Sequence, residues 1–276
     1  GISRTYNLYH RSSRPYIEQA GNYRLVTSGL GLRFGIPFSE LDRIDLGVAM
    51  EQTTIKPGTS IPAAYLDYAE RFGYTSSSLP LTFGWARDSR DSSMVPTRGV
   101  MSRVYSDLAL AGDAHYSRSG AQYQQYFPLN KKFSFALNGE IGYGKGLSGH
   151  PYPIFKSYFV GGLGSVRGFD QGSLGPRDIT GLVVGGAKKV VMNAEVFAPF
   201  PGAGNDRTLR LYGFYDAGNV FGENDKITLN DLRSSVGAGI SWASPMGPLR
   251  LAIANPINKV SGDRIQRLQF QIGTSF

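Results

Sequence analysis

Apolar and polar residues trade places one by one along most of this chain. In "RLQFQIGTSF", residues 267–276, Leu268, Phe270, Ile272 and Phe276 fall on one face of an extended chain, and Gln269, Gln271, Gly273 and Ser275 on the other. A period of two residues marks a β-strand with two unlike faces. "KFSFALNGEIGYG" repeats the pattern, with Phe133, Phe135, Leu137, Ile141 and Tyr143 set against Ser134, Ala136, Asn138 and Glu140. In "SSVGAGISW", Val236, Ala238, Ile240 and Trp242 alternate with serines and glycines. The same reading recurs in "DRIDLGVAMEQ", "SLPLTFGWARD", "RGVMSRVYSDL", "VVMNAEVFAPF", "LRLYGFYDAG" and "PLRLAIANP". About twelve such segments predict an all-β, antiparallel fold.

Two architectures alternate in this way. A soluble sandwich turns its apolar face inward, whereas a transmembrane barrel turns it to lipid and lines its lumen with polar residues. Segments of roughly nine to eleven residues match a tilted strand crossing a bilayer better than the five or six usual in sandwiches. Aromatics such as Trp85, Trp242, Tyr143, Phe34 and Phe200 gather at segment ends, the level of the lipid headgroups. The polar face holds Asp107, Glu140, Glu195 and Asp216, charges that a dry core would not tolerate unpaired. Connections are also unequal: "PFSELDR", "PLNKKF" and "SPMGPL" are tight, while residues 53–78 and 145–189 are long. Outer-membrane barrels have short turns on one side and long loops on the other. We therefore expect a transmembrane β-barrel with a Gly-rich lid loop, about residues 145–189, entering the lumen or lying over its mouth. A secreted sandwich is the alternative, and it would stay in solution without detergent.

Composition narrows the choice. The pattern runs unbroken through 276 residues, so one domain is expected, and the absence of cysteine leaves no disulfide frame or thiol nucleophile. The net charge of +8 comes from scattered basic residues rather than a stripe, which suits anionic lipid heads and argues against nucleic acid. No apolar run is long enough for a transmembrane helix, and "GISRTYNLYH" is already alternating rather than signal-like. His10, His115 and His150 sit in no nucleophile or metal spacing, and "RDSRDS" reads as a charged strand-end turn, so neither an enzyme nor a cofactor site is expected.

Two stretches carry a resemblance. "YFVGGLGSVRGFDQGSLGPRD" and "SPMGPLRLAIANPINKVSGDRIQRLQFQIGTSF", with "WARDSRDSSMVPTRGVMSRVYSDLALAG" and "FYDAGNVF" in order between the ends of the chain, resemble the BamA family of outer-membrane protein assembly factors. Its wider superfamily includes two-partner secretion transporters and TamA. The resemblance implies a sixteen-stranded barrel in the bacterial outer membrane, preceded by POTRA domains. Against that pattern the chain opens at the fifth strand, without POTRA domains, so about twelve strands are expected. They are expected to close by pairing residues 2–10 with the last strand, because an open edge in lipid leaves backbone groups unsatisfied.

The family marker is Val166, Arg167, Gly168 and Phe169 in the lid, and the resemblance assigns Glu195 and Asp216 as partners of Arg167. Alternation independently turns both carboxylates inward. The implied function is insertion of client β-barrels through a weak strand seam, without catalysis; the fragment alone is expected to be inactive, and a passive channel or polypeptide transporter is the alternative. Leu268, Phe270, Ile272, Gly273 and Phe276 form the seam strand and terminal signal, Gly273 as a hinge or a simple packing position. The implied partners are the lipid bilayer, lipopolysaccharide, unfolded outer-membrane clients and accessory lipoproteins reached through POTRA domains.

Overall fold

The computed structural model describes all residues except 15–20, 203–206, 246 and 274–276. Phe276 therefore lies outside the described residues. One antiparallel sheet of twelve strands dominates. Its strands are β1 (Ser3–Ser13), β2 (Asn22–Pro37), β3 (Asp42–Ser60), β4 (Thr75–Asp88), β5 (Gly99–Gly112), β6 (Tyr116–Pro128) and β7 (Ser134–Gly146). After a long crossover come β9 (Lys188–Pro199), β10 (Leu209–Phe221), β11 (Arg233–Ser244), β12 (Gly247–Asn258) and β14 (Leu268–Ile272). Two further strands, β8 (Gly168–Phe169) and β13 (Ile265–Gln266), have two residues each and pair with one another. Each long strand is hydrogen-bonded to its neighbour in chain order, the topology of an up-and-down barrel wall. The strands run longer than the bilayer requires, up to 19 residues in β3, because they continue past the apolar band toward the long loops.

The apolar face points outward. Leu8, Met50 and Phe270 are 86%, 63% and 67% exposed, and Phe135, Ile240 and Phe270 belong to no buried cluster. On β7, Leu137, Ile141 and Tyr143 are exposed while Ser134 and Ala136 are buried, the faces expected from alternation. In water such a surface would aggregate; in acyl chains it is the solvated face. Buried apolar groups sit inside instead: Phe197, Tyr212 and Phe214 of the wall with Ala252 and Ala254, and Val160, Val166, Phe169 and Leu174 of the lid with Val191 and Val220.

Two expectations need correction. Among the described residues the sheet does not close, since β1 pairs with β2 alone and β14 with β12 alone. With only 5 residues, β14 is a poor match for the 11 of β1, and Gly273, at φ +82°, leaves the extended conformation at the end of that strand. The lid also fills the interior, which opposes the tighter curl that twelve strands closing alone would need. The second correction is a helix, α1 (Ala63–Phe72), inside the long β3–β4 connection expected as a loop. Tyr65, Tyr68 and Ala69, spaced three and one apart, bury one face of α1 against Tyr23 and Ile55 and pack on Phe155 of the lid.

Asp178 of the lid accepts a hydrogen bond from the Ala63 N–H at the start of α1, so the lid reaches this helix as well as the wall. Desolvation would raise the Asp178 pKa, but hydrogen bonds from Thr180, Leu182 and Ala63 prevail and hold it below the usual carboxylate value. A carboxyl depressed in the folded state contributes stability at neutral pH and loses it as pH falls through the folded pKa. Asp178→Ala should therefore loosen α1 by about 1 kcal/mol at pH 7. Hydrogen exchange in 63–72 should separate the variant from the parent at pH 7 and converge on it in strong acid.

Candidate functional site

The lid enters the lumen between β7 and β9 and presents Arg167 to the wall. Arg167 is 2% exposed and Asp216, on β10, is 0% exposed. The guanidinium grips Asp216 as a fork, with Nε donating to Oδ2 at 2.6 Å and Nη2 to Oδ1 at 2.6 Å, and the Arg167 backbone N–H adds a third bond to Oδ2 at 3.0 Å. Its remaining arm, Nη1, donates to Glu195 Oε1 on β9 at 2.5 Å. The Phe214 ring lies under the cation, 3.6 Å from Cζ to the centroid. Asn193 closes the set by donating to Asp216 Oδ1 at 2.8 Å and to the Ser165 carbonyl at 2.7 Å.

Strand alternation places all these wall groups together. Tyr212, Phe214 and Asp216 share the inward face of β10, while Tyr215 is exposed; Asn193, Glu195 and Phe197 share that of β9, while Met192 and Val196 are exposed. The register then sets Asp216 opposite Asn193 and Phe214 opposite Glu195. Burial alone would favour loss of the Arg167 proton, but the two carboxylates outweigh it and push the pKa up, so the group stays a cation. Planar bidentate geometry is what a lysine could not reproduce. Arg250 adds a second positive charge at 3.9 Å from Glu195, so two cations face two carboxylates. Gln122, Gln124, Asn138 and Gln271 line the polar cavity beside this cluster.

The motif is held from a second side, which sequence reasoning missed. Gln269 of β14, 4% exposed, accepts from the Gly168 N–H at 3.2 Å and donates to the Phe169 carbonyl at 2.6 Å. Beside it, β8 pairs with β13, matching Ile265 to Phe169 and Gln266 to Gly168. Asp170 N–H donates to the Arg264 carbonyl at 3.0 Å and Arg177 to the Gly262 carbonyl at 3.0 Å. The available signal was the inward parity of Gln269. Gly168 has to be glycine here, because its φ is +87° and a Cβ would lie 3.0 Å from the Ala254 methyl.

The structure thus brings Val166, Arg167, Gly168, Phe169, Glu195 and Asp216 together. Leu268, Phe270 and Ile272 do not join them; they face outward on β14, 59%, 67% and 61% exposed, and Gly273 ends that strand.

The Omp85 superfamily domain matches residues 1–276. The chain belongs to the Omp85 superfamily. Its similarity to the outer membrane protein assembly factor BamA of Neisseria meningitidis serogroup B is 35% identity over 100% of this chain and 40% of that protein. The human sorting and assembly machinery component 50 homolog is 30% identical over 68% of this chain and 44% of its own length. Among solved structures, BamA from Haemophilus ducreyi lacking POTRA domains 1–3 superimposes with a TM-score of 0.90, at 26% identity, over 98% of this chain and 58% of that one. CdiB from Acinetobacter baumannii shares the fold alone, with a TM-score of 0.60 at 15% identity. The chain spans about two fifths of the Neisseria meningitidis relative. As an Omp85 chain it is an integral outer-membrane β-barrel segment, and none of these matches is to a catalytic family.

Proposed function

We propose that this Omp85 chain is the working barrel wall of a non-enzymatic factor that inserts β-barrel proteins into the outer membrane. The observation that carries the reading is the internal lid, pinned by Arg167 to Asp216 and Glu195 and clamped by Gln269 to the terminal strand. A lid fixed to the last strand blocks free passage through the lumen and leaves strand edges as the working surface. Strand β14 is short, with Gly273 at φ +82° just past its end, and a weak edge of that kind accepts an incoming client strand by β-augmentation. The other partners in this reading are accessory assembly lipoproteins, engaged through POTRA domains, and lipopolysaccharide beside the outward face; nucleic acid plays no part.

A passive channel or polypeptide transporter is the second reading, supported by the shared fold with CdiB. A chimera carrying this chain in place of the matching part of the Neisseria meningitidis BamA separates the two. Insertion of an unfolded client into liposomes with little steady conductance is expected. Large open-pore currents without insertion would reverse the assignment.

A further inference from the structure

The outer surface of β1–β3 carries a row of cations that the lid does not use. On β2 and β3 the even-numbered residues face outward: Leu30 and Met50 sit opposite one another, 61% and 63% exposed, while Tyr23 and Ile55 are buried on the inner face. The same register sets Arg24 directly opposite Lys56 on the outward side. On β1 the last pair is Ser13 with Leu25, so Arg14 follows one residue beyond it, beside Arg24. No described carboxylate forms an ion pair with any of the three. Like charges facing across neighbouring strands repel, so this arrangement is stable only with an anion or abundant water between them.

Depth decides which. Ile44 pairs with Trp85 near the short-turn end, and outward-facing Leu46, Val48 and Met50 lead from it toward Lys56. At about 3.3 Å per residue and a tilt near 40°, the step from 44 to 56 covers roughly 30 Å, the thickness of the hydrocarbon core. The three cations therefore stand where headgroups begin on the long-loop side, directly above an apolar surface.

We propose that Arg14, Arg24 and Lys56 bind the phosphate groups of an outer-leaflet lipid whose acyl chains lie on the surface made by Leu30 and Met50. The proposal rests on the outer-membrane placement with the long loops outward, and it does not depend on the insertase reading. Native mass spectrometry of the detergent-solubilised chain with diphosphoryl lipid A tests it, with far-UV circular dichroism as the check of folding. Arg24→Ser with Lys56→Ser should weaken binding roughly thirty-fold, the loss expected of two cations at about 1 kcal/mol each. Arg24→Lys with Lys56→Arg keeps the charges and should keep the lipid. Lys131→Ser with Lys132→Ser, at the opposite end of the wall, should leave binding unchanged. Undiminished binding in the first variant, an equal loss in the Lys131 and Lys132 control, or equal binding of the dephosphorylated lipid would overturn the site. Displacement by millimolar inorganic phosphate would reassign it to free phosphate and likewise overturn the lipid proposal. None of these readouts involves client insertion, so a failure here is distinguishable from a failure of the proposed function.

Discussion

Arg167→Ala should cost about 3–5 kcal/mol of stability, the loss expected when one member of a buried ion cluster is removed. The reason lies less in the attraction lost than in what remains. Asp216 is fully buried and takes two of its four short contacts from the guanidinium, so alanine leaves a carboxylate with only the Asn193 side chain and one backbone N–H. Glu195 is 13% exposed along its side chain and keeps Arg250 nearby, so Glu195→Gln should cost clearly less. Asp216→Ala strands the arginine instead, and the double variant Arg167→Ala with Asp216→Ala should fall well short of the sum of the two losses. Denaturant titration in detergent, read by far-UV circular dichroism, checks the ranking. Additive losses, or a Glu195 variant as weak as the Arg167 variant, would mean that the three residues do not act as one cluster.

How much of this could be read beforehand depends on the range of the signal. The outward face was legible because period two repeats within each strand, so Leu137, Ile141 and Met192 declared their side from neighbours alone. The inward placement of Glu195 and Asp216 followed from the same parity, but their joining to Arg167 needed the family motif, because nothing local connects residues so far apart. The Gln269 clamp and the β8–β13 pair lie beyond both sources: two-residue strands carry no periodicity, and their partners are about a hundred residues away. Helix α1 does leave local marks, with Pro62 before it and Gly73 after it at φ +93°, but one short helix between two punctuating residues is a weak signal inside a long connection. Closure failed for a global reason. Alternation counts strands but carries no information on the curvature of the sheet or on how much lid must fit inside it.

The Gln269 clamp leads to the second large effect. Gln269→Leu keeps the bulk of the side chain and removes both polar atoms, leaving the Gly168 N–H and the Phe169 carbonyl without their buried partner. Each unsatisfied buried group costs about 1–3 kcal/mol, so a total of roughly 2–4 kcal/mol is expected. The location of the loss distinguishes this variant from the Arg167 variant. Arg167 and its carboxylates join the lid to β9 and β10, in the middle of the wall, whereas Gln269 joins it to β14 at the edge of the sheet. Hydrogen exchange in Gln269→Leu should therefore rise together in the lid at 168–170 and in 264–272, while 188–199 and 209–221 stay protected. If the lid loosened and the terminal strand did not, the two would be independent, and a displaced lid could not weaken the seam. If both loosened together, release of the lid and exposure of the β14 edge would be one event, and an assembly factor could open its working edge only by first drawing the motif away from Gln269.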